Sequence, residues 1–533
     1  WIQIKMLKTP GPPASLPLDP VDTNVRLEER RNRFMQDPDV YEARKRRELF
    51  TVELRSKARS DHLYKRRLGS EPKSAEFVVS RALASAKPQL THSDASLESK
   101  LVALKETMAG NSLSLRADAL SCLRELSTDE QAQDLICAMD FVPLLKECLE
   151  NTQSQIVQDS SFIFVSLTSG IPRVNEYLVT MGVAEALLRC VTAHNLKATE
   201  NCLWALCNLM CDIPETRITL LNKNVVQLLQ KVVDWYSLTE IDIVCTVAWC
   251  CSKLCKGVLS IPDAKGIVSL LKKVMASEDA EVLKDSMFAL EKLMEGDAEL
   301  VGQVLDQTII DKVINGIQSS DKYTKTYAIN IATSIAAESA EYTQHLLVCN
   351  LLTYLKPALS FDNPSVRASV LLCLGNISAW SNSMTSQLMA HEIVSAAVNA
   401  LNDSAAEVRE EALSFLEVLA SHATLSQRLK LIFVYEVLRP FKVAMTLWNP
   451  ENLPQICEIC DLLLQAGSAE ESMGGQTVLT MFEESGCYDQ LSRILLSAED
   501  ESQNLYRLID LYFTEKDEGA LNMPVPESSF NFS

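Results

Sequence analysis

Thiols, histidines and clustered cations are the residues whose types and spacing could do chemistry in this sequence. Cys457-x-x-Cys460 has the spacing of a redox or zinc pair, but it lies in the apolar run "QICEICDLLL" with no second pair. It reads as two buried structural thiols. His62, His92, His194, His345, His391 and His422 are far apart, and none forms a helical metal motif. There is no Walker loop and no Gly-x-Gly-x-x-Gly; the Gly474-Gly475 pair falls in a connector between helices. No catalytic constellation stands out, so no enzyme, metal or cofactor is expected. The cations remain: Arg44-Lys45-Arg46-Arg47 and Lys65-Arg66-Arg67. Their chemistry is non-covalent pairing with the carboxylates of a partner surface.

Those cations sit in a chain that is acidic overall, with 533 residues, 50 basic against 70 acidic side chains and a net charge of −20. The average hides a division. Residues 26–68 hold 14 Lys/Arg and 8 Asp/Glu, a net of +6, while residues 1–25 cancel. Residues 69–533 carry 34 basic and 60 acidic residues, a net of −26. A short basic arm therefore precedes a long acidic body, and the two can attract each other. Glu48, Glu53 and Asp61 interrupt the basic arm, which together with the acidic body argues against direct nucleic-acid binding. A solvated basic helix with no dedicated partner stays open on charge alone. The 16 cysteines are scattered through apolar runs behind no secretory signal, and no stretch approaches the ~20 apolar residues of a membrane helix. Reduced thiols in cytoplasm or nucleus are expected, with no membrane partner. The chain opens at Trp1 rather than Met, so an earlier start is expected.

The elements that position these groups follow from the repeat pattern. Residues 1–25, with Pro10, Pro12, Pro13, Pro17 and Pro20, read as a disordered lead-in. Residues 26–68 read as a mostly helical arm, with Asp37-Pro38 as a helix start. Residues 69–93 read as a linker punctuated by Pro72 and Pro88, and 516–533 as a disordered tail. Between them, 94–515 repeats. With Trp204 as marker, equivalent positions are Leu120, Phe162, Trp249, Phe288, Asn330, Leu372, Ser414 and Ile456. Most successive markers are 42 residues apart, each within a helix-patterned apolar run. With only 16 Gly and no strand alternation, a helical repeat of this length implies a HEAT or armadillo array. The expectation is an all-α, right-handed superhelical armadillo solenoid of about ten repeats with a long concave face.

The arm, "RKRRELFTVELRSKARSDHLYKRRL" over 44–68, resembles the importin-β-binding segment of the importin-α family. The matching residues are Arg44, Lys45, Arg46 and Arg47, then Val52, Glu53, Leu54, Arg55 and Lys57, then Lys65, Arg66 and Arg67, with Arg26-Leu27 and Phe34 upstream. The body resembles the same family's armadillo repeats: "LWALCNLMCDIPETR" is similar to its third repeat, and "FEESGCYDQLSRIL…NLYRLIDLYF" to its closing one. The resemblance implies a nuclear import adaptor. Such a protein holds basic nuclear-localisation-signal cargo in the concave groove and is carried by importin-β. It is recycled by an export receptor, shuttles between cytoplasm and nucleus, and has an arm that can fold back into its own groove.

The resemblance also implies groove residues. In the family a ladder of Trp and Asn, four apart on one helix face, holds an extended basic peptide. Here Trp204 and Asn208 form that pair, and Asp212 matches the acidic residue that meets the key cargo lysine. The preceding repeat offers Phe162, Ser166 and Gly170; the following one keeps Trp249 but has Lys253 in the Asn position. Lys292 follows where the family usually carries Tyr, Asn376 keeps the amide behind Leu372, and Ser414 with Val418 keeps neither. A reduced major site around Trp204, Asn208, Asp212 and Trp249 is expected, while the family's second, smaller site keeps only Asn376 of its pairs. Helical spacing alone favours core aromatics at Trp204 and Trp249; the repeat register and the Asp212 match favour the groove, more for Trp204 than for Trp249. An armadillo scaffold that keeps the arm but binds a non-basic partner is the alternative function that Lys253 and Lys292 motivate.

Overall fold

The computed structural model describes residues 96–513, apart from 170–171, 258, 278, 295–301, 303–304, 448, 450–451, 471–477 and 498–502. The lead-in 1–25, the arm 26–68, the linker 69–93 and the tail 516–533 therefore lie outside the described residues. Every regular element among the described residues is helical. A long helix of each repeat carries the marker position: α1 Leu113–Leu126, α2 Ser154–Thr168, α3 Leu196–Asp212, α4 Ile241–Leu254, α5 Ala280–Met294, α6 Lys322–Glu338, α7 Pro364–Trp380, α8 Ala406–His422 and α9 Leu453–Glu470. The helix α10, Gln503–Phe513, ends the described chain. Shorter helices intervene, such as Pro172–Thr180 and Val183–Cys190 between α2 and α3.

The chain divides into two units, residues up to Glu338 and residues from Ser339. In the first, α1 through α6 pack each against the next; in the second, α7 through α10 do the same. A helix packed tightly between two such neighbours can bury nearly its whole circumference. In α3 every residue from Ala198 to Met210 is buried, which is why this helix lacks a broad polar face. The scattered cysteines serve this core as small apolar residues. The Cys207 and Cys250 thiols of α3 and α4 meet at 2.8 Å in the interface. Cys457 and Cys460 are both buried in α9, and burial pushes the Cys457 thiol up to about 11 and Cys460 also upward. A thiol so shifted is neither a nucleophile nor a ready metal ligand at neutral pH. No group of three or more potential metal ligands occurs among the described residues. No helix among them is long and apolar enough to cross a membrane.

Local chemistry sets where these helices start and stop. Asn195 caps α3 by accepting from the Ala198 amide at 3.2 Å, and Asn363 caps α7 from the Ser365 amide at 3.2 Å just before Pro364. α3 ends at Asp212 because Pro214 disfavours helical backbone at Ile213. In four repeats the turn before the second short helix holds a left-handed residue. Asp140, Gly182, Asn224 and Asn350 fill it with φ of 55°, 68°, 57° and 62°, and these are the residue types that tolerate it. The first three stand one repeat length apart, so the period is a backbone conformation as well as a hydrophobic pattern.

Candidate functional site

α3 and α4 bring four of the expected residues together. Trp204 and Trp249 meet edge to face, ring centroids 5.7 Å apart at 74°, and are 4% and 9% exposed. Most of each indole is therefore packing surface, and only a rim of the pair meets solvent. Asn208, one turn beyond Trp204, donates to the Thr168 hydroxyl at 3.2 Å. Its carbonyl oxygen has no hydrogen-bond partner among the described residues, so it can accept from a peptide N–H.

Asp212 stands exposed at the last position of α3. A carboxylate there opposes the helix dipole, whose C-terminal end is already negative. It is held by Asn175, from Pro172–Thr180, whose Nδ2 donates to Asp212 at 2.6 Å and to the Thr168 carbonyl at 3.1 Å. Asn175 is fully buried, so the carboxylate's position is fixed by a side chain that cannot swing away. The C-terminal carbonyls and Asp212 together concentrate negative charge at the end of α3.

The flanking repeats are arranged differently. The Phe162 ring of α2 lies under Arg124 of α1, whose guanidinium carbon is 4.5 Å from the ring centroid and which pairs with the fully buried Asp159 at 3.0 Å. The chain's own cation thus covers the ring where a ligand cation would stack. Ser166 is buried, and Gly170 lies outside the described residues. On the other side, Lys253 of α4 is only 3% exposed, its ammonium 5.5 Å from the Trp249 centroid and 6.0 Å from that of Phe288. Lys292 of α5 places its ammonium 5.4 Å from the same Phe288 ring, which also meets Tyr327 of α6 at 5.2 Å. In the second unit Asn376 of α7 is 4% exposed. Ser414 and Glu417 of α8 both accept from Gln455 of α9, at 3.3 and 3.0 Å. The helix face at that register is a polar network, not a ring ladder.

Arg124 and Asn175 were not among the sequence candidates. Arg124 had a signal, since it stands four residues after the marker Leu120, in the register of Asn208. Asn175 had none, because only the fold brings it to Asp212. The arm residues Arg44, Lys45, Arg46, Arg47, Arg55, Lys57, Lys65, Arg66 and Arg67 lie outside the described residues.

Comparison with known proteins bears on both halves of the chain. A family model described as the importin beta binding domain matches residues 30–121, which takes in most of the basic arm. Importin subunit alpha-2 of Arabidopsis thaliana is 24% identical over 304 residues, 55% of this chain and 55% of that protein. Importin subunit alpha-6 of the same plant is 24% identical over 299 residues, 54% of each. Importin subunit alpha-1a of Oryza sativa is 22% identical over 384 residues, 70% of each. The chain is similar to importin subunits alpha over about half its length. It spans about half the length of the two Arabidopsis relatives in these matches. Among solved structures, a crystal structure of an engineered protein aligns with a TM-score of 0.65 at 18% identity, covering 76% of this chain and 97% of that one. A chain from a structure on the phosphorylation switch between cadherin and beta-catenin aligns at 0.57 and 14% identity, covering 82% and 96%. The fold of this importin-α relative is an armadillo-repeat array, as its sequence period implies.

Proposed function

We propose that this protein is a nuclear import adaptor that binds importin-β through residues 26–68 and basic cargo at the Trp204–Trp249 pair. It shuttles between cytoplasm and nucleus, and its closing repeat supports recycling by an export receptor. The observation that carries the reading is the importin beta binding match over 30–121, laid on a segment whose net charge opposes that of the body. The geometry at Asp212 supports cargo binding: a dipole end, a fixed carboxylate, an unpaired amide oxygen and an indole rim lie within one helix and its neighbour. Cargo lysine would rest its stem on the indoles and its charge on Asp212.

Two experiments test this. In a pull-down, importin-β retains the full chain and loses one lacking 26–68; retention unaffected by the deletion sinks the adaptor reading. In a peptide titration, Asp212→Lys lowers affinity for a Lys-rich peptide about a hundredfold, as reversing a recognition charge does. Unchanged affinity sinks the groove assignment. A second reading, a scaffold for a non-basic partner, is favoured by Arg124, Lys253 and Lys292 standing on the rings. It predicts that acidic or apolar peptides bind while basic ones do not.

A further inference from the structure

Arg124, in the last turn of α1, lays its guanidinium on the Phe162 ring of α2, 4.5 Å from the centroid. The same group pairs at 3.0 Å with Asp159, three residues before Phe162 on the same helix. Asp159 is fully buried, and its second oxygen accepts from the Gln155 amide at 2.9 Å. The Arg124 side chain is 34% exposed and the ring is half-buried, so this assembly meets solvent. The Arg124 Nε is buried with no hydrogen-bond partner among the described residues. The guanidinium therefore holds its seat through the ring and the carboxylate, with one donor left unmet. An aromatic face backed by a buried carboxylate is a slot for a cation. Here the chain fills that slot itself. Arg124 stands four residues after the marker of its own helix, and Phe162 is the marker of the next; ahead of Trp204 the residue in Arg124's register is Ser166, which is uncharged.

We propose that Arg124 is a specificity residue, the built-in occupant of the Phe162 slot, and that it ends the basic segment the groove reads. A ligand whose basic residue lies at α3 then finds no second cation seat at α2. The preferred ligand is an extended peptide with a short basic cluster, and a further arginine or lysine facing α2 adds little. That residue lies two or three positions from the one at α3, since packed helices stand about 8–10 Å apart and an extended chain advances about 3.3–3.6 Å per residue. The role rests on the reading that Trp204, Asn208 and Asp212 receive the basic residue.

The test uses the full chain and fluorescein-labelled peptides bearing one Lys-Arg pair in a Gly/Ala background. A single further Arg is walked from three residues before the pair to three after, with a Gln peptide matching each. In the unaltered chain Arg exceeds Gln by about threefold or less at every position, the general effect of one more exposed charge. In Arg124→Gln one position, two or three residues from the pair, prefers Arg about tenfold, as a desolvated cation–ring contact gives. Adding Phe162→Leu to Arg124→Gln removes that peak. A flat walk in Arg124→Gln, a peak already present in the unaltered chain, or a peak that survives Phe162→Leu overturns the proposal. Because stripping a buried carboxylate of its partner is destabilising, a second measurement reads the slot through stability. Millimolar ethylguanidinium should restore most of the unfolding midpoint lost in Arg124→Ala while leaving the unaltered chain's unraised; no recovery overturns the slot. Asp212→Lys separates the two levels. If it abolishes binding of the parent peptide while the Arg124→Gln walk is flat, only the role of Arg124 fails; if it changes no affinity, the underlying groove reading fails and the proposal with it.

Discussion

Asp212 occupies the place on its helix where a carboxylate is least favoured, and Asn175 is what keeps it usable. Replacing Asn175 with Ala leaves Asp212 charged but unpositioned, and the affinity for a basic peptide should fall about fivefold, as loss of one charge-assisted hydrogen bond implies. Titration by fluorescence anisotropy reads this directly. A second residue-scale prediction concerns stability. Arg367 of α7 grips Asp403 with two hydrogen bonds of 2.8 and 2.7 Å, both side chains mostly buried. The Arg367 guanidinium holds the Asp403 carboxyl below the usual carboxylate range. The pairing therefore contributes fully above the pKa of an unfolded aspartate, ~4, and is lost as pH falls through the lower native value. Asp403→Asn should cost about 2 kcal/mol in urea unfolding at pH 7 and flatten the acid limb of the stability profile. At this scale the sequence made Trp204, Asn208 and Asp212 legible because they share one helix at four-residue steps. Asn175, 37 residues before Asp212, and the ring contacts of Arg124 and Lys253 are tertiary, and no local pattern announces them.

The elements were the most legible layer. Each marker helix packs against its neighbours along the array, and the apolar pattern this demands recurs at a fixed interval. Asp140, Gly182 and Asn224 put a left-handed turn at the same interval, but Asp, Gly and Asn are common in any connector, so this regularity surfaces only in the backbone angles. Asn224→Ala should cost about 1 kcal/mol, because Ala bears the full left-handed penalty, whereas Asn224→Gly should be nearly neutral. Thermal unfolding of the pair of variants checks the difference. The helix Gln307–Ile317 gives a sharper case. A Cβ on Gly316 would stand 2.9 Å from the Ala328 Cβ of α6 and 3.3 Å from the Met287 sulfur of α5. Ala is the better helix former by about 1 kcal/mol, yet overpacking costs about 1–3 kcal/mol. Gly316→Ala should therefore lower the unfolding midpoint; a raised midpoint would mean the two helices separate freely.

At the scale of the whole molecule, the net charge of −20 divides into a basic arm and an acidic armadillo body. The division was countable from the sequence, and the match over 30–121 gives the arm a partner class. What composition could not convey is how charge is distributed along the groove. The body is acidic overall, yet at α4 and α5 the lysines Lys253 and Lys292 stand on the Trp249 and Phe288 rings. An arm that competes for the groove predicts that deleting 26–68 raises affinity for a basic peptide several-fold, more at low salt, since screening weakens exposed pairs. The adaptor account requires both ends of the chain to work at once. Its most direct test is capture of a fluorescent basic peptide on immobilised importin-β. The account predicts capture only when the full chain is added, with loss on deleting 26–68 and loss on Asp212→Lys. Importin-β that retains the chain but never the peptide, or retains both without residues 26–68, would contradict it.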